Sequence, residues 1–430
     1  MRVMLLGANG FIGSRVLGRL LADGHRVSAP VRDPERLKTR FTEVEAVRAD
    51  LNRMLRPPDW RPLLQGIEAV VNCAGALQSG RGQSLRAIHL DAPLPLYRAC
   101  VEAEVRRVVH LSAISANPEA GTEYARTKHA AEQSLKALDL DWAILRPSLV
   151  YAEGSHGGTS LLRALAALPG CIPLPGRGDQ PFQPIHLEDL ADAVSLALRE
   201  PRFSRTVLEP VGPERLTTAE ITRLLRGWLG LKPGRLVLVP MPLVRMAARL
   251  GDLAGAGPLR TTAIEQLLHG NAGDPEPFIA ATGIHPRRMA EALRARPATV
   301  QDLWHARLFF LRPLLRFGLA LFWIWAALAT LLWMRREEGD ALFRAAGVAD
   351  PLLPAAWIAG GAIDLALGLW LLFTRRIARV GAAMLAVTAA YLIALTNAAP
   401  ELWMEPLGGL AKTPIVMLAT LALMAIAEER

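Results

Sequence analysis

Tyr124 and Lys128, four positions apart, carry the chemistry most legible in this chain. At that spacing two side chains share one face of a helix. A phenol titrates at about 10 in isolation, and a neighbouring ammonium favours its ionised form, drawing it toward general acid–base work. The same ammonium can bond ribose hydroxyls. On a helix surface such a pair is commonplace; a second motif far upstream gives it meaning. Gly7-Ala8-Asn9-Gly10-Phe11-Ile12-Gly13 is a glycine-rich turn directly after the apolar run Val3-Met4-Leu5-Leu6. Gly7 permits the tight turn, Gly10 lets the backbone approach phosphate, and Gly13 allows close helix–strand packing. The helix N-terminus beyond offers amides and a positive dipole end to a pyrophosphate. In this order and separation the two motifs predict a nicotinamide-dependent oxidoreductase.

Positioning both motifs requires a regular scaffold, and the hydrophobic pattern supplies one. Strands are predicted at 3–6, 25–31, 44–47, 69–73, 107–111 and 142–147, with helices at 11–23, 85–103 and around Tyr124. In the first helix Val16, Leu17, Leu20 and Leu21 form one apolar stripe, ended by Gly24. Strands separated by helices of this length make an α/β fold with a doubly wound parallel sheet. The ligand crevice of such a sheet lies at the carboxyl ends of its strands. Gly7 to Gly13, Arg32, Asp50 with Leu51, Ala74-Gly75, Ser112 and Pro147-Ser148 all fall there. The second strand closes on Val31-Arg32, where an NAD site places a carboxylate for the ribose 2′-hydroxyl. A cation there favours the 2′-phosphate, so NADP(H) is the preferred cofactor; Asp33, directly following, keeps NAD(H) as the alternative.

From Met1 to about residue 300 the chain resembles the short-chain dehydrogenase/reductase superfamily, in its extended or atypical, epimerase/dehydratase-like branch. The resemblance rests on the Gly7–Gly13 loop, the Tyr124-x-x-x-Lys128 pair and Asn72-Cys73-Ala74-Gly75. It also rests on Leu145-Arg146-Pro147-Ser148-Leu149-Val150-Tyr151 and Phe182-Gln183-Pro184-Ile185-His186-Leu187-Glu188-Asp189. It implies a Rossmann sheet, Tyr124 as acid/base, Lys128 as its tuner and a serine orienting the substrate carbonyl. The serine is where the chain departs. In Ser112-Ala113-Ile114-Ser115, the closest register puts Ala113 at the catalytic place, leaving Ser112 one residue early and Ser115 two late. The branch also contains proteins that hold NADPH structurally, such as an accessory subunit of respiratory complex I. Nucleotide-sugar epimerases and dehydratases use the same residues, although they retain NAD.

Residues 151–300 are less regular and read as a small substrate lobe. Pro173-Leu174-Pro175-Gly176-Arg177-Gly178 marks loops, and Thr217-Thr218-Ala219-Glu220 reads as a capping box. Thr262 with Glu265 suggests another, stopped by Gly270-Asn271. The apolar helix at 243–253 suits the lobe core or a membrane surface.

The chain has 430 residues, a net charge of +9 and a hydrophobic fraction of 51%, whose excess lies after about residue 305. No basic run is interleaved with aromatics, which argues against nucleic acid as a partner. Cys73, Cys100 and Cys171 have no paired spacing, and the histidines are scattered, so neither disulfides nor a metal site is expected. Arg2-Val3-Met4-Leu5-Leu6 is too short for a secretory signal, which predicts an N-terminal domain in the cytoplasm.

Apolar stretches at 317–334, 352–373, 380–395 and 407–427 predict a four-helix transmembrane domain over 305–430. It resembles the DoxX-like family, notably in Glu401-Leu402-Trp403-Met404-Glu405-Pro406-Leu407-Gly408. Arg307, Arg312 and Arg316 precede the first stretch, and Arg375, Arg376 and Arg379 follow the second. Between them Arg335 and Arg336 are offset by Glu337, Glu338 and Asp340. The positive-inside rule then places a multi-pass protein in the inner membrane with both termini cytoplasmic. Asp364, inside the second stretch, is an intramembrane carboxylate, a candidate proton or quinone-side group or the partner of another span's cation or hydroxyl. Gly360, Gly361 and Gly368 around it suit close helix packing. A membrane-anchored enzyme of this kind suits a lipophilic small-molecule substrate delivered from the bilayer.

Overall fold

The computed structural model describes the chain except residues 81, 83, 255, 256, 258, 406–408 and 428–430. Pro406, Leu407 and Gly408 of the motif above therefore lie outside the described residues. Two compact units are present, Met1–Ala306 and Arg307–Arg430.

The first unit is built on β1 (Arg2–Leu6), β2 (Arg26–Val31), β3 (Glu45–Arg48), β4 (Ala69–Asn72), β5 (Arg107–Leu111) and β6 (Asp141–Leu145). With a further strand, Thr206–Leu208, they form one seven-stranded sheet. Its spatial order is Thr206–Leu208, β6, β5, β4, β1, β2, β3, with every pairing parallel. The chain winds outward both ways from β1, so the loops after β1 and β4 diverge and leave the switch-point crevice between them. Side chains alternate across the sheet. Val3 and Leu5 join Val16, Leu17 and Leu20 in one core layer, while Met4 and Leu6 join Leu96, Tyr97 and Ile144 in the other. Burial of each such side chain contributes about 1.5–3 kcal/mol.

The predicted helix at 85–103 is broken. Ala87–Asp91 forms a π turn, and a new α-helix, Pro93–Glu102, starts after it. Pro93 has no N–H to continue the ladder, and a π turn absorbs the mismatch. This widened turn carries His89.

In the lobe, the Thr217–Glu220 capping box is made: the Glu220 amide donates to Thr217 Oγ1 at 3.2 Å and the Thr217 amide to Glu220 at 2.7 Å. The Thr262–Glu265 box is not. That helix runs Thr261–His269 from Arg260, which makes no side-chain cap, and stops at Gly270 with φ +70°. Tyr151, Phe182, Ile221, Leu225, Met289 and Leu293 form the lobe core.

Among the described residues, three helical segments are long and apolar enough to cross a membrane: Val300–Trp333, Asp350–Phe373 and Ile377–Ala398. The fourth apolar helix, Leu410–Ile426, is shorter. Lys412 and Pro414 sit at its start, where proline removes an N–H that the first turn leaves unpaired anyway, and the α-helix proper runs Thr413–Ile426. The segment after the first span forms a helix of its own, Arg336–Ala345. Leu319, Trp323, Leu367, Leu371, Met384 and Leu423 make this unit's core. A Cβ on Gly361 would lie 2.5 Å from Leu331, and one on Gly368 would lie 2.7 Å from Ile324. Close packing therefore requires both glycines. Arg316 donates to the carbonyls of Leu371, Leu372 and Thr374 at 2.9, 3.1 and 2.6 Å, satisfying carbonyls that the helix end leaves open. Asp364 is buried and accepts a hydrogen bond from the Tyr391 hydroxyl at 3.2 Å.

Candidate active site

The glycine turn is tight because β1 ends against β4. Gly7 has φ +78°, and a Cβ on it would lie 2.8 Å from the Cys73 carbonyl and the Ala74 amide. A Cβ on Gly13 would lie 2.0 Å from the Gly7 carbonyl oxygen. The Gly10 amide donates to that same oxygen at 2.8 Å. Gly10 caps the helix Phe11–Ala22 without a side chain, and its first turn has no acidic residue. The helix therefore presents open amides and an uncompensated positive end, the donor set an anionic pyrophosphate needs. The residues present fit a dinucleotide.

Around this cradle Asn9 is exposed, Ile12 packs on the core, and Phe11 stacks on His156 with ring centroids 6.2 Å apart. Arg32 is exposed just past β2. Asp50 accepts from the Asn52 amide and side chain at 3.1 and 2.9 Å. Burial pushes this carboxyl upward, but those bonds with Arg32 and Arg53 hold it below the usual range. Leu51 is half-buried against the second core layer.

The Tyr124 helix spans Glu123–Lys136, capped by Thr122, whose hydroxyl accepts from the Ala125 amide at 3.3 Å. Lys128 is buried and donates from Nζ to the Leu111 carbonyl, at the end of β5, at 2.7 Å. A Cβ on Gly75 would lie 3.3 Å from Lys128 Nζ and 3.6 Å from His89 Nε2. The lysine tip and the loop after β4 thus meet. Burial pushes the Lys128 ammonium down to about 8, against partial support from Cys73 and Glu132. Tyr124 departs from expectation: burial pushes its phenol up to about 12, with no lowering by Lys128. The ammonium is engaged by a backbone carbonyl instead.

His89 is the group sequence reasoning missed. Its Nε2 accepts from the Ala76 amide at 3.1 Å, so Nδ1 carries the proton and bonds Thr127 Oγ1 at 2.9 Å. Burial, then the Lys128 charge, push its pKa down to about 2, which keeps the ring neutral. The Tyr124 ring packs edge-on against it, with centroids 5.4 Å apart. Its one sequence signal is the proline pair Pro93 and Pro95, which breaks the helix into which it was read.

The serines are placed differently from one another. Ser112 Oγ donates to Glu132 Oε1 at 2.5 Å. Glu132 is fully buried and held by Arg146 through Nε at 2.9 Å and Nη2 at 2.5 Å. Ser112 thus serves a buried ion pair. Ser115 lies half-buried in the turn beyond, and among the described residues its hydroxyl has no hydrogen-bond partner. Ala113 between them is buried. The Pro147 carbonyl accepts from the Ile114 amide at 3.0 Å, and the Ser148 hydroxyl donates to the Gln183 carbonyl. The first joins the loops after β5 and β6, and the second ties the latter to the lobe.

Comparison with known proteins bears on the class of each unit. The NAD(P)H-binding family matches residues 7–200, and the DoxX-like family matches residues 320–423. A sugar epimerase of Bacillus subtilis, YhfK, itself uncharacterized, is 30% identical over 38% of this chain and 79% of its own length. A ceramide reductase of Caulobacter vibrioides is 29% identical over 58% of this chain and 77% of its own. The solved UDP-glucose 4-epimerase of Thermus thermophilus, in complex with NAD, is 22% identical with a TM-score of 0.52, covering 71% of this chain and 99% of that one. This last likeness concerns the fold. The chain belongs to the NAD(P)-binding, epimerase/dehydratase-like proteins through its first unit and carries a DoxX-like domain over residues 320–423. With its apolar helices it is a membrane protein.

Proposed function

We propose that this protein is a membrane-anchored, NADP(H)-dependent oxidoreductase that interconverts a carbonyl and an alcohol on a lipophilic substrate. The observation that carries the reading is the meeting of Lys128 Nζ with Gly75, beside a glycine cradle closed to any side chain at Gly7 or Gly13. Gly7, Asn9, Gly10, Phe11, Ile12 and Gly13 would hold the phosphates; Arg32, Asp50 and Leu51 the adenosine side; Ala74, Gly75, Lys128, Pro147 and Ser148 the nicotinamide side. When bound, the cofactor supplies or accepts the hydride. In reduction Tyr124 hands its phenolic proton to the substrate oxygen, while the Lys128 ammonium, held at the Leu111 carbonyl, bonds the ribose hydroxyls of the cofactor. Ser115, whose hydroxyl is free, orients the carbonyl in place of the committed Ser112. A relative named ceramide reductase supports a lipid-like substrate. The basic residues before the first span support a first unit on the cytoplasmic side of the inner membrane. The test is NADPH consumption by purified full-length protein over a panel of lipophilic aldehydes and ketones. Uniformly absent turnover, with NADPH bound, contradicts it.

One observation favours a second reading. With Ala113 at the usual serine place and Ser112 bound to Glu132, the site suits a non-catalytic module in which NADPH stabilises a sensor or assembly protein.

Two further results are expected. Arg32→Glu should invert cofactor preference, weakening NADPH about tenfold or more while sparing NADH, as one charge-assisted phosphate contact is worth about 1.5–3 kcal/mol. Equal losses for both cofactors would contradict the adenosine-side assignment. Lys128 loses its charge as pH rises through about 8, so NADPH affinity should fall across that range. Lys128→Arg, permanently charged, should hold affinity to higher pH. A wild-type binding curve flat well past the lysine's titration would refute this. For folding, the depressed pKa means the unfolded chain binds more protons above about 8, so Lys128 makes stability rise with pH up to its ordinary 10.5.

A further inference from the structure

The helix Met241–Ala254 carries its apolar residues on the wrong side for a lobe core. Val244 and Ala248 pack inward on Ile264. Leu243, Met246, Leu250 and Leu253 are 50, 56, 61 and 85% exposed. At about 100° per residue these four fall within one narrow arc. Arg245 and Arg249, both exposed, lie along one border of it. Asp252 is engaged by Arg260 at 3.0 Å and by the Thr261 hydroxyl at 2.6 Å. Val237 and Leu238 of the preceding strand, Arg235–Val239, are exposed as well.

We propose that this helix is an in-plane bilayer contact, with Leu243, Met246, Leu250 and Leu253 among the acyl chains and Arg245 and Arg249 at headgroup level. Two features select lipid over a protein partner. The chain carries its own membrane spans, so the bilayer is present at high effective concentration for every copy. An aliphatic arc bordered by arginines matches an acyl boundary under anionic headgroups, where arginine stems extend toward water.

The helix also belongs to a hairpin that reaches the candidate active site. Arg260 Nη1 donates to the Ser79 carbonyl at 2.6 Å, in the loop after β4. Gln266 Nε2 donates to Thr122 Oγ1, the cap of the Tyr124 helix, at 2.6 Å. If the proposed oxidoreductase reading holds, a lipophilic substrate would pass from the membrane along this hairpin to Tyr124; the bilayer contact itself does not depend on that reading.

The test uses wild-type full-length protein in vesicles of phosphatidylcholine and phosphatidylglycerol containing a phospholipid with a diazirine on its acyl chain. Photolysis and peptide mapping are expected to place adducts on residues 243–253 as well as on the spans. Adducts confined to the spans overturn the proposal, and turnover plays no part in the readout. A second measurement places an environment-sensitive dye at Leu250→Cys or, as the aqueous reference, at Glu43→Cys, with Cys73, Cys100 and Cys171 replaced by Ala. Nitroxide-bearing lipid should quench the dye at 250 several-fold more than the dye at 43. Equal quenching, or a dye at 250 shielded from both lipid nitroxide and aqueous iodide, shows water or a protein surface there and sinks the proposal.

Discussion

Tyr124→Phe is expected to lower carbonyl reduction by about a hundred- to ten-thousand-fold, the usual worth of a positioned general acid. NADPH binding should be nearly unchanged. The substitution removes one hydroxyl, which among the described residues has no protein hydrogen bond, and keeps the ring that packs against His89. Structural damage is therefore a poor explanation for any loss. The comparison is steady-state NADPH consumption beside a binding titration read from intrinsic tryptophan fluorescence. If wild type and variant consume NADPH equally, proton transfer by Tyr124 is refuted and the non-catalytic reading takes its place.

Glu132→Ala should be strongly destabilising. Glu132 is fully buried, bonded by Arg146 at 2.9 and 2.5 Å and by Ser112 at 2.5 Å. Removing Glu132 strips the half-buried Arg146 of its close partner and leaves it Glu209 at 3.4 Å, so the cost approaches, from below, the about 3–5 kcal/mol of a wholly stranded buried charge. A thermal unfolding midpoint lower by roughly 10 °C is expected. Glu132→Leu combined with Arg146→Met should recover much of the loss, because apolar replacement of both partners removes the stranded charge. A single variant as stable as wild type would show that the pair contributes little.

That pair also shows where sequence reasoning stops. Ser112 was legible as a hydroxyl at the end of β5, but nothing in the order of residues links it to Glu132, the following helix's inward-facing carboxylate. Only the helix's rotation against β5 and β6 sets Glu132 between Ser112 and Arg146. The expected effect of Lys128 on Tyr124 fails for a related reason. Spacing puts both on one face, but burial and the Leu111 carbonyl determine what each side chain experiences. His89 lay hidden in what read as an ordinary helix. At 241–254 periodicity revealed an amphipathic helix without saying which arc would pack.

By itself the sequence determined the order of strands and helices, the glycine turn and the apolar spans. Each depends on backbone geometry or hydropathy acting within a few residues. Only the tertiary structure decided which serine is committed and which apolar arc faces outward. Those outcomes depend on contacts between residues distant in the chain, and on burial, which no local pattern contains.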